Sequence, residues 1–427
     1  MRMKDNIMAL EQYKYSNGYD YDEYSAMCDR FKGIKLPFFR DYDIHRLLAE
    51  YIFGYSMSRF PVGKKNTLRR FLGGMFLYPV IKEGNGNTAF IFTGDGNGRP
   101  DYVHCIRKVK AQCDDSVLYI MDRTKPQFII SHIFSFVPEL IWAVKLNSVN
   151  HDFNISFDMA VGLYRAKKQG EHIYKVIGNA RRIVTFCDLW NIESIITQKA
   201  NRDKVPTATL QHGNGTDILY GSCSNYYLSN SKLSKANCIH AGIPENKVVL
   251  SGLMKYAGEK FEYKAFSKIK KIGVVFDGAQ NFENNVEMIQ VIHKALEGID
   301  IKCCIRFHPN NKREDYQPYL LDSDEIYNDL AEFEKSIDIC IVYNSSMYTD
   351  MIYKKILVYR FKNGKVDLFS GLNDKGFSNS EELKELLTDI EIDRDEYIEG
   401  QEMLYDQVFG TECQADSYKK FFDEIFR

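Results

Sequence analysis

Residues Thr207–Gly213, Thr-Ala-Thr-Leu-Gln-His-Gly, make a short apolar strand halted by a histidine and a glycine. Two later stretches halt in the same way. Cys303–Pro309 reads Cys-Cys-Ile-Arg-Phe-His-Pro, and Ile339–Ser346 reads Ile-Cys-Ile-Val-Tyr-Asn-Ser-Ser. Short apolar strands that break abruptly into polar residues suit a parallel sheet covered on both faces. In open α/β sheets, ligands bind beyond the carboxyl ends of the strands. The three stops therefore predict imidazoles, hydroxyls and free backbone N–H groups around a single cleft.

The flanking sequence alternates strand and helix. Thr88–Thr93 reads as a buried strand and is followed by the turn Gly94-Asp95-Gly96-Asn97-Gly98; Pro100 is placed to open a helix to Gln112 at its first position. Strands are predicted at Ser116–Met121, Arg182–Cys187, Tyr226–Ser229 and Val248–Ser251, with helices at 126–146, 152–179, 190–202 and 231–241. In the second half, strands at Lys271–Phe276, Ile301–Phe307, Asp338–Tyr343 and Ile356–Tyr359 alternate with helices at 284–297, 324–335, 347–354 and 381–389, the last capped by Ser380. A chain of 427 residues exceeds one ordinary core. The junction is expected near 252–270, where Lys and Glu dominate. The segments are then 1–80, a helical extension with short helices around 20–32 and 42–60; 81–255 and 256–395, two Rossmann-like domains; and 396–427, a helical tail packing back on the first domain.

Composition narrows the function classes. A formal net charge of −2 argues against bulk nucleic-acid binding, which leaves a basic footprint. The 28 Tyr and 28 Phe suit a sugar-binding cleft and equally suit plain core packing. The ten cysteines include no Cys-x-x-Cys pair, so free thiols in a reducing cytosol are expected. Charged neighbours of Met1 predict no secretory leader. No apolar run approaches the ~18–20 residues that span a membrane. The longest, Phe71–Ile81 and Phe128–Leu146, read as core helices; the first follows Lys64, Lys65, Arg69 and Arg70 and could instead rest on an anionic membrane surface. The expected location is cytoplasmic, with peripheral contact at the inner membrane face as the alternative.

Chemistry is expected at the strand ends. His212 is a candidate general base for an acceptor hydroxyl, with Gln211, Gly213 and Asn214 around the acceptor. Asp95 is a rival base, and Gly94 and Gly96 allow close approach, although the loop lacks dinucleotide-binding glycine spacing. His308 can donate to a phosphate oxygen, Pro309 directs the backbone after it, and Arg306 precedes it on the same strand face. Asn344, Ser345 and Ser346 begin a helix, whose positive end suits phosphate, and Asp350 follows one turn later. Gly278 follows the strand Lys271–Phe276. Acidic doublets such as Asp20/Asp22 and Asp322/Asp324 read as turns, and His and Cys lack zinc spacing, so no metal is expected.

Leu210-Gln211-His212-Gly213, Arg306-Phe307-His308-Pro309 and Ser345-Ser346 with Asp350 together resemble bacterial surface-polysaccharide transferases of the GT-B fold. These include CDP-glycerol glycerophosphotransferase-like, capsule Kdo transferase-like and polysialyltransferase-like enzymes. Tyr227 to Gly252 also resembles the inter-domain segment of many GT-B enzymes, and the likeness covers about 205–395. Phe307 departs from it, standing where Pro is frequent. The resemblance implies two Rossmann-like domains facing across a cleft, acceptor on the N-terminal one and nucleotide donor on the C-terminal one. It implies inverting, metal-independent transfer of a sugar, sialic-type acid or polyol phosphate. The donor would be of CMP or CDP type, the acceptor a hydroxyl of a cell-surface glycan, free or lipid-linked, and no further cofactor is implied. Two alternatives stay open. One is a nucleotide-sugar 2-epimerase of the same architecture, for which Asp95 and Asp277 are the candidate carboxylates; the other is a non-catalytic glycan-binding or assembly protein.

Overall fold

A computed structural model of the chain describes residues 29–37, 41–56, 75–94, 99–129, 136–188, 190–211, 222–240, 243–365 and 371–427, with isolated positions between them. The chain forms two compact units, Met1–Gly258 with Cys413–Arg427, and Glu259–Glu412.

The first unit is built on a seven-stranded sheet. Its strands are β1 (Val80–Glu83), β2 (Thr88–Phe92), β3 (Ser116–Met121), β4 (Arg182–Thr185), β5 (Thr207–Leu210), β6 (Tyr226–Ser229) and β7 (Val248–Leu250). Their spatial order is β1-β3-β2-β4-β5-β6-β7, parallel except for the antiparallel edge strand β1. β2, β3 and β5 are buried along their whole length, as their unbroken apolar and Thr-rich sequences require. The chain runs from β2 outward to β3 and then returns across β2 to β4. Winding therefore reverses between β2 and β4, and the loops leaving their carboxyl ends part to open a crevice.

Among the described residues, five helices precede β6: α1 (Ile44–Ser56), α2 (Pro100–Lys110), α3 (Phe136–Asn150), α4 (Phe153–Ile177) and α5 (Asn191–Arg202). Pro100 opens α2. Asp152 caps α4, accepting from the N–H groups of Asn154 and Ile155 at 2.9 and 3.1 Å. Gly162 lies inside α4, where glycine costs about 1 kcal/mol against alanine. It admits Tyr51 of α1 to the helix surface, since a Cβ there would stand 2.2 Å from the Tyr51 hydroxyl. Phe39, Leu47 and Leu48 join Trp142, Met159 and Leu163 in a core between α1, α3 and α4. Two expected helices change. The run ending at Ile81 supplies β1, whose ladder with β3 outweighs its helical pattern. Within the helix expected at 126–146, Gln127–Phe128 instead pairs with Phe76–Leu77, and the described helix is Phe136–Asn150.

The second unit carries six strands, all parallel. They are β8 (Lys271–Val275), β9 (Lys302–Arg306), β10 (Glu325–Ile326), β11 (Ile339–Val342), β12 (Leu357–Phe361) and β13 (Gly376–Phe377). The spatial order β10-β9-β8-β11-β12-β13 is the 3-2-1-4-5-6 order of a Rossmann domain, with its reversal between β8 and β11. The helix expected at 324–335 is divided. Glu325–Ile326 pairs with Cys304–Ile305, and the helix starts at Leu330, where Asp329 accepts from Glu332 N at 2.8 Å. Asn379, not Ser380, caps the helix Ser380–Ile392, accepting from Glu382 N at 3.0 Å; Ser380 is already its first residue.

The expected tail of 396–427 divides at the unit boundary. Arg394–Val408 belongs to the second unit, and the chain rejoins the first at Cys413. Tyr418, Phe421, Phe422 and Phe426 then fill the core against Phe90, Ile106 and Leu118. Phe422 meets Phe90 edge-on at 5.5 Å, and the Tyr418 hydroxyl donates to Gly252 O at 2.9 Å. Phe422→Ala should therefore destabilise the first unit by about 3–5 kcal/mol, the range for deleting a buried phenyl ring. Urea unfolding followed by a probe in that unit would show the loss; an unchanged midpoint would mean the terminal segment is dispensable.

Candidate functional site

The second unit's reversal is bounded by Phe276-Asp277-Gly278 after β8 and Tyr343-Asn344-Ser345 after β11. Asp277 is 4% exposed. Its Oδ2 accepts from Asn344 N at 3.2 Å and from Asn281 Nδ2 at 3.3 Å. Its Oδ1 is buried and has no hydrogen-bond partner. The backbone of Asp277 is held on both sides, donating to Asn285 Oδ1 at 2.9 Å and accepting from Asn285 Nδ2 at 3.0 Å and Asn311 Nδ2 at 2.9 Å. Burial pushes the carboxyl up to about 7, against the opposing pull of the Asn344 and Asn281 hydrogen bonds. A buried acceptor without a partner at a topological switch point is a place for a ligand group.

β9 and β11 both pair with β8, so their polar ends stand on either side of Asp277. His308 is half-buried. Its Nδ1 accepts from Asn310 N at 3.2 Å, so Nε2 carries the proton of the neutral ring. Burial lowers its pKa and favours that neutral form. Ser345 Oγ accepts from Met347 N at 3.3 Å, and Ser346 is exposed at the start of the short helix Met347–Tyr353. Pro309 is exposed beside His308. Gly278 follows Asp277, with the side-chain amide of exposed Gln280 beside it. Arg306 turns toward the β10 side, donating to Asn328 O at 2.6 Å. Asp350 is buried within its helix, its N–H on Ser346 O at 3.4 Å.

At the first unit's reversal, Glu193 is fully buried and joins the two strand ends. Oε1 accepts from Thr93 N at 2.9 Å, and Oε2 accepts from Cys187 N at 2.7 Å. Burial pushes its carboxyl up to about 8. Above it opens a cavity of about 520 Å³, lined by Thr93, Gly94, Arg99, Arg123, Asp158, Arg165 and Trp190 among others. Gly94 is required there, because a Cβ would lie 2.7 Å from the Phe92 ring and 2.9 Å from that of Trp190. Trp190 continues through Phe186 to Tyr102 at centroid spacings of 5.6 and 5.0 Å.

Gln211 spends its amide within the fold. Nε2 donates to Ser234 Oγ at 3.0 Å, and Oε1 accepts from Asn230 N at 3.0 Å and Ser229 Oγ at 3.1 Å. Eleven residues on, Ser222 donates through Oγ to Asp188 at 2.7 Å, which also accepts from Cys223 N and Ser224 N at 2.8 and 3.1 Å and pairs with Arg46 at 3.0 Å. These bonds anchor the two residues flanking the segment that holds His212, Gly213 and Asn214, which lie outside the described residues, as do Asp95 and Gly96.

The cavity arginines, Asp158 and Trp190 escaped the sequence reading because they come from separate segments. The one local signal was Asp158, an acid among buried apolar residues of α4. Among the described residues, His293, Cys303 and Asp324 bring potential ligand atoms within 4.8 Å of one another, a grouping invisible to motif spacing. No described helix is long and apolar enough to cross a membrane.

No family model and no curated protein sequence matches the chain. Solved structures do. A Listeria monocytogenes protein provisionally assigned as a UDP-N-acetylglucosamine 2-epimerase is 9% identical, with a TM-score of 0.50 over 80% of this chain and 98% of that one. Staphylococcus aureus MnaA bound to UDP is 13% identical, with a TM-score of 0.49 over 79% and 95%. Anabaena Alr3699/HepE bound to UDP and glucose is 9% identical, with a TM-score of 0.45 over 80% and 99%. The fold is α/β of the GT-B class, with two Rossmann-like units.

The raised carboxyl of Asp277 has a thermodynamic signature. An acid whose folded pKa exceeds its unfolded value stabilises the folded state fully below pH ~4, and that contribution is lost as pH rises to about 7. Asp277→Asn should remove this dependence and unfold at higher urea than wild type at pH 8, by about 1–4 kcal/mol. Glu193 supplies the remaining slope of the same sign. Equal wild-type and variant slopes between pH 5 and 8 would show that Asp277 titrates normally.

Proposed function

We propose that the chain is a nucleotide-sugar-dependent enzyme that holds the nucleotide at the reversal between β8 and β11. The carrying observation is the buried, unpartnered Oδ1 of Asp277 in that crevice, flanked by the ends of β9 and β11. His308 Nε2–H and the hydroxyls of Ser345 and Ser346 donate to phosphate oxygens; Asp277 Oδ1 pairs with a hydroxyl of the nucleotide. The likeness to the Listeria protein supports a nucleotide-sugar substrate.

The reaction we favour is inverting transfer to a hydroxyl of a bacterial cell-surface glycan, made at the cytoplasmic membrane face from a CMP- or CDP-type donor. The order of the Gln-His-Gly, His-Pro and Ser-Ser motifs supports it. His212 or Asp95 takes the acceptor proton, while His308 and the serines meet the charge on the departing nucleotide.

A second reading, 2-epimerisation of a nucleotide sugar, is favoured by the Listeria likeness and by the buried carboxyls Asp277 and Asp158. Incubation with nucleotide sugar alone separates the two. An epimer appearing without acceptor supports epimerisation, whereas nucleotide release that requires acceptor supports transfer.

The nucleotide site is tested by thermal unfolding with CMP, CDP, UDP, GDP and ADP. The expected result is selective stabilisation by one base, near 2.7 kcal/mol when ligand is at about one hundred times Kd. His308→Ala and Ser345→Ala should fold normally and lose it. Stabilisation by none of the five would remove the nucleotide site from this unit.

A further inference from the structure

We propose that the cavity at the β2/β4 reversal binds a saccharide through an anionic substituent, a carboxylate or a phosphate, an assignment that rests on the acceptor role proposed for the first unit. Among the described residues that line this cavity are the guanidinium groups of Arg99, Arg123 and Arg165 and the carboxyl of Asp158. They come from different places. Arg123 follows β3 and donates to Thr93 O at 3.0 Å, which holds it at the end of β2. Arg165 projects from α4 and donates through Nη2 to the Tyr78 hydroxyl at 3.2 Å, leaving most of its five N–H donors for a ligand. Arg99 stacks 3.6 Å over the Tyr102 ring and pairs with Asp101 at 2.7 Å. That pair is more than half exposed on both sides, so it is weak and can yield to a ligand anion.

Two further features match the same chemistry. α5 is twelve residues long and begins at the cavity; its N-cap, Trp190, makes no side-chain capping bond. Trp190, Asn191 and Ile192 line the space, so the positive end of the helix adds to the arginine field. The lining also includes Phe92, Tyr102 and Trp190, which offer broad apolar faces of the kind that pack on a sugar ring. At about 520 Å³ the cavity falls within the ~300–1,000 Å³ of small-ligand sites. Guanidinium groups bind planar carboxylates and phosphates in two-pronged, charge-assisted fashion, which a neutral sugar cannot match.

The test measures binding of glucuronate, glucose 6-phosphate and glucose to the full chain by ligand-observed NMR titration, without nucleotide. At least one anionic sugar should bind about tenfold or more tighter than glucose, and weaken with added salt. The tighter of the two anions identifies the carboxylate or the phosphate as the recognised group. Arg165→Gln and Arg123→Gln should each lower its affinity by about tenfold or more. Unfolding midpoints serve as the folding control, and either variant suffices if the other is unstable. Glucose binding as tightly as both anions, an anion affinity unchanged in the folded variants, or no binding of either anion at its solubility limit would overturn the proposal. Anionic-sugar binding by a wild-type chain that no nucleotide stabilises would count against the donor site alone.

Discussion

At each reversal of winding, a buried carboxyl accepts backbone N–H groups that lie beyond the last rung of the sheet. Glu193 takes those of Thr93 and Cys187; Asp277 takes that of Asn344. Without an internal acceptor these amides would be buried and unpaired, or open to water, at the one place where the covering helices part. Both carboxyls are desolvated and held well above the usual carboxylate range. The difference between them is chemical. Glu193 uses both oxygens on the backbone, so it is a strut. Asp277 uses one and keeps the other, so the same device in the second unit leaves an acceptor in the crevice.

Much of what surrounds these crevices keeps their walls in place. Asn285 holds the Asp277 backbone on both sides while donating to the Tyr316 hydroxyl at 2.9 Å. On the far side of β11, Arg360 is 2% exposed and binds Asp374 through Nε at 2.5 Å and Nη2 at 2.9 Å, with the Tyr348 hydroxyl donating to the same carboxylate at 2.7 Å. A buried pair of this kind is costly to desolvate, so its value lies in fixing the end of β12 rather than in net stability. In the first unit, Gly94 and Gly162 do related work by omission. Each gives up a side chain so that an aromatic ring, Trp190 or Tyr51, can stand at the cavity wall.

The proposed division of labour follows from these two chemistries. The second unit offers hydroxyls, a neutral imidazole and a carboxyl, groups suited to a nucleotide. The first offers arginines, a helix start and aromatic faces. Buried carboxyls, Asp277 and Asp158, occur in both, and only the fate of the sugar separates transfer from epimerisation.

The sequence by itself determined the longer parallel strands and which residues end them. Pro100 opens its helix, and His308 and Ser345 stand at strand ends as expected, because dihedral preference and burial period are local properties. Tertiary structure decided the rest. Glu325–Ile326 is too short to carry a period and becomes a strand only through pairing with β9. The return of the chain at Cys413 depends on an aromatic-lined core that distant residues build. Asp277 gains its character from burial, and Arg99, Arg123 and Arg165 become one cationic wall only because the reversal between β2 and β4 gathers three remote segments. Local preferences set which elements form; where distant charges meet is set by the order of strands, which no local window of residues encodes.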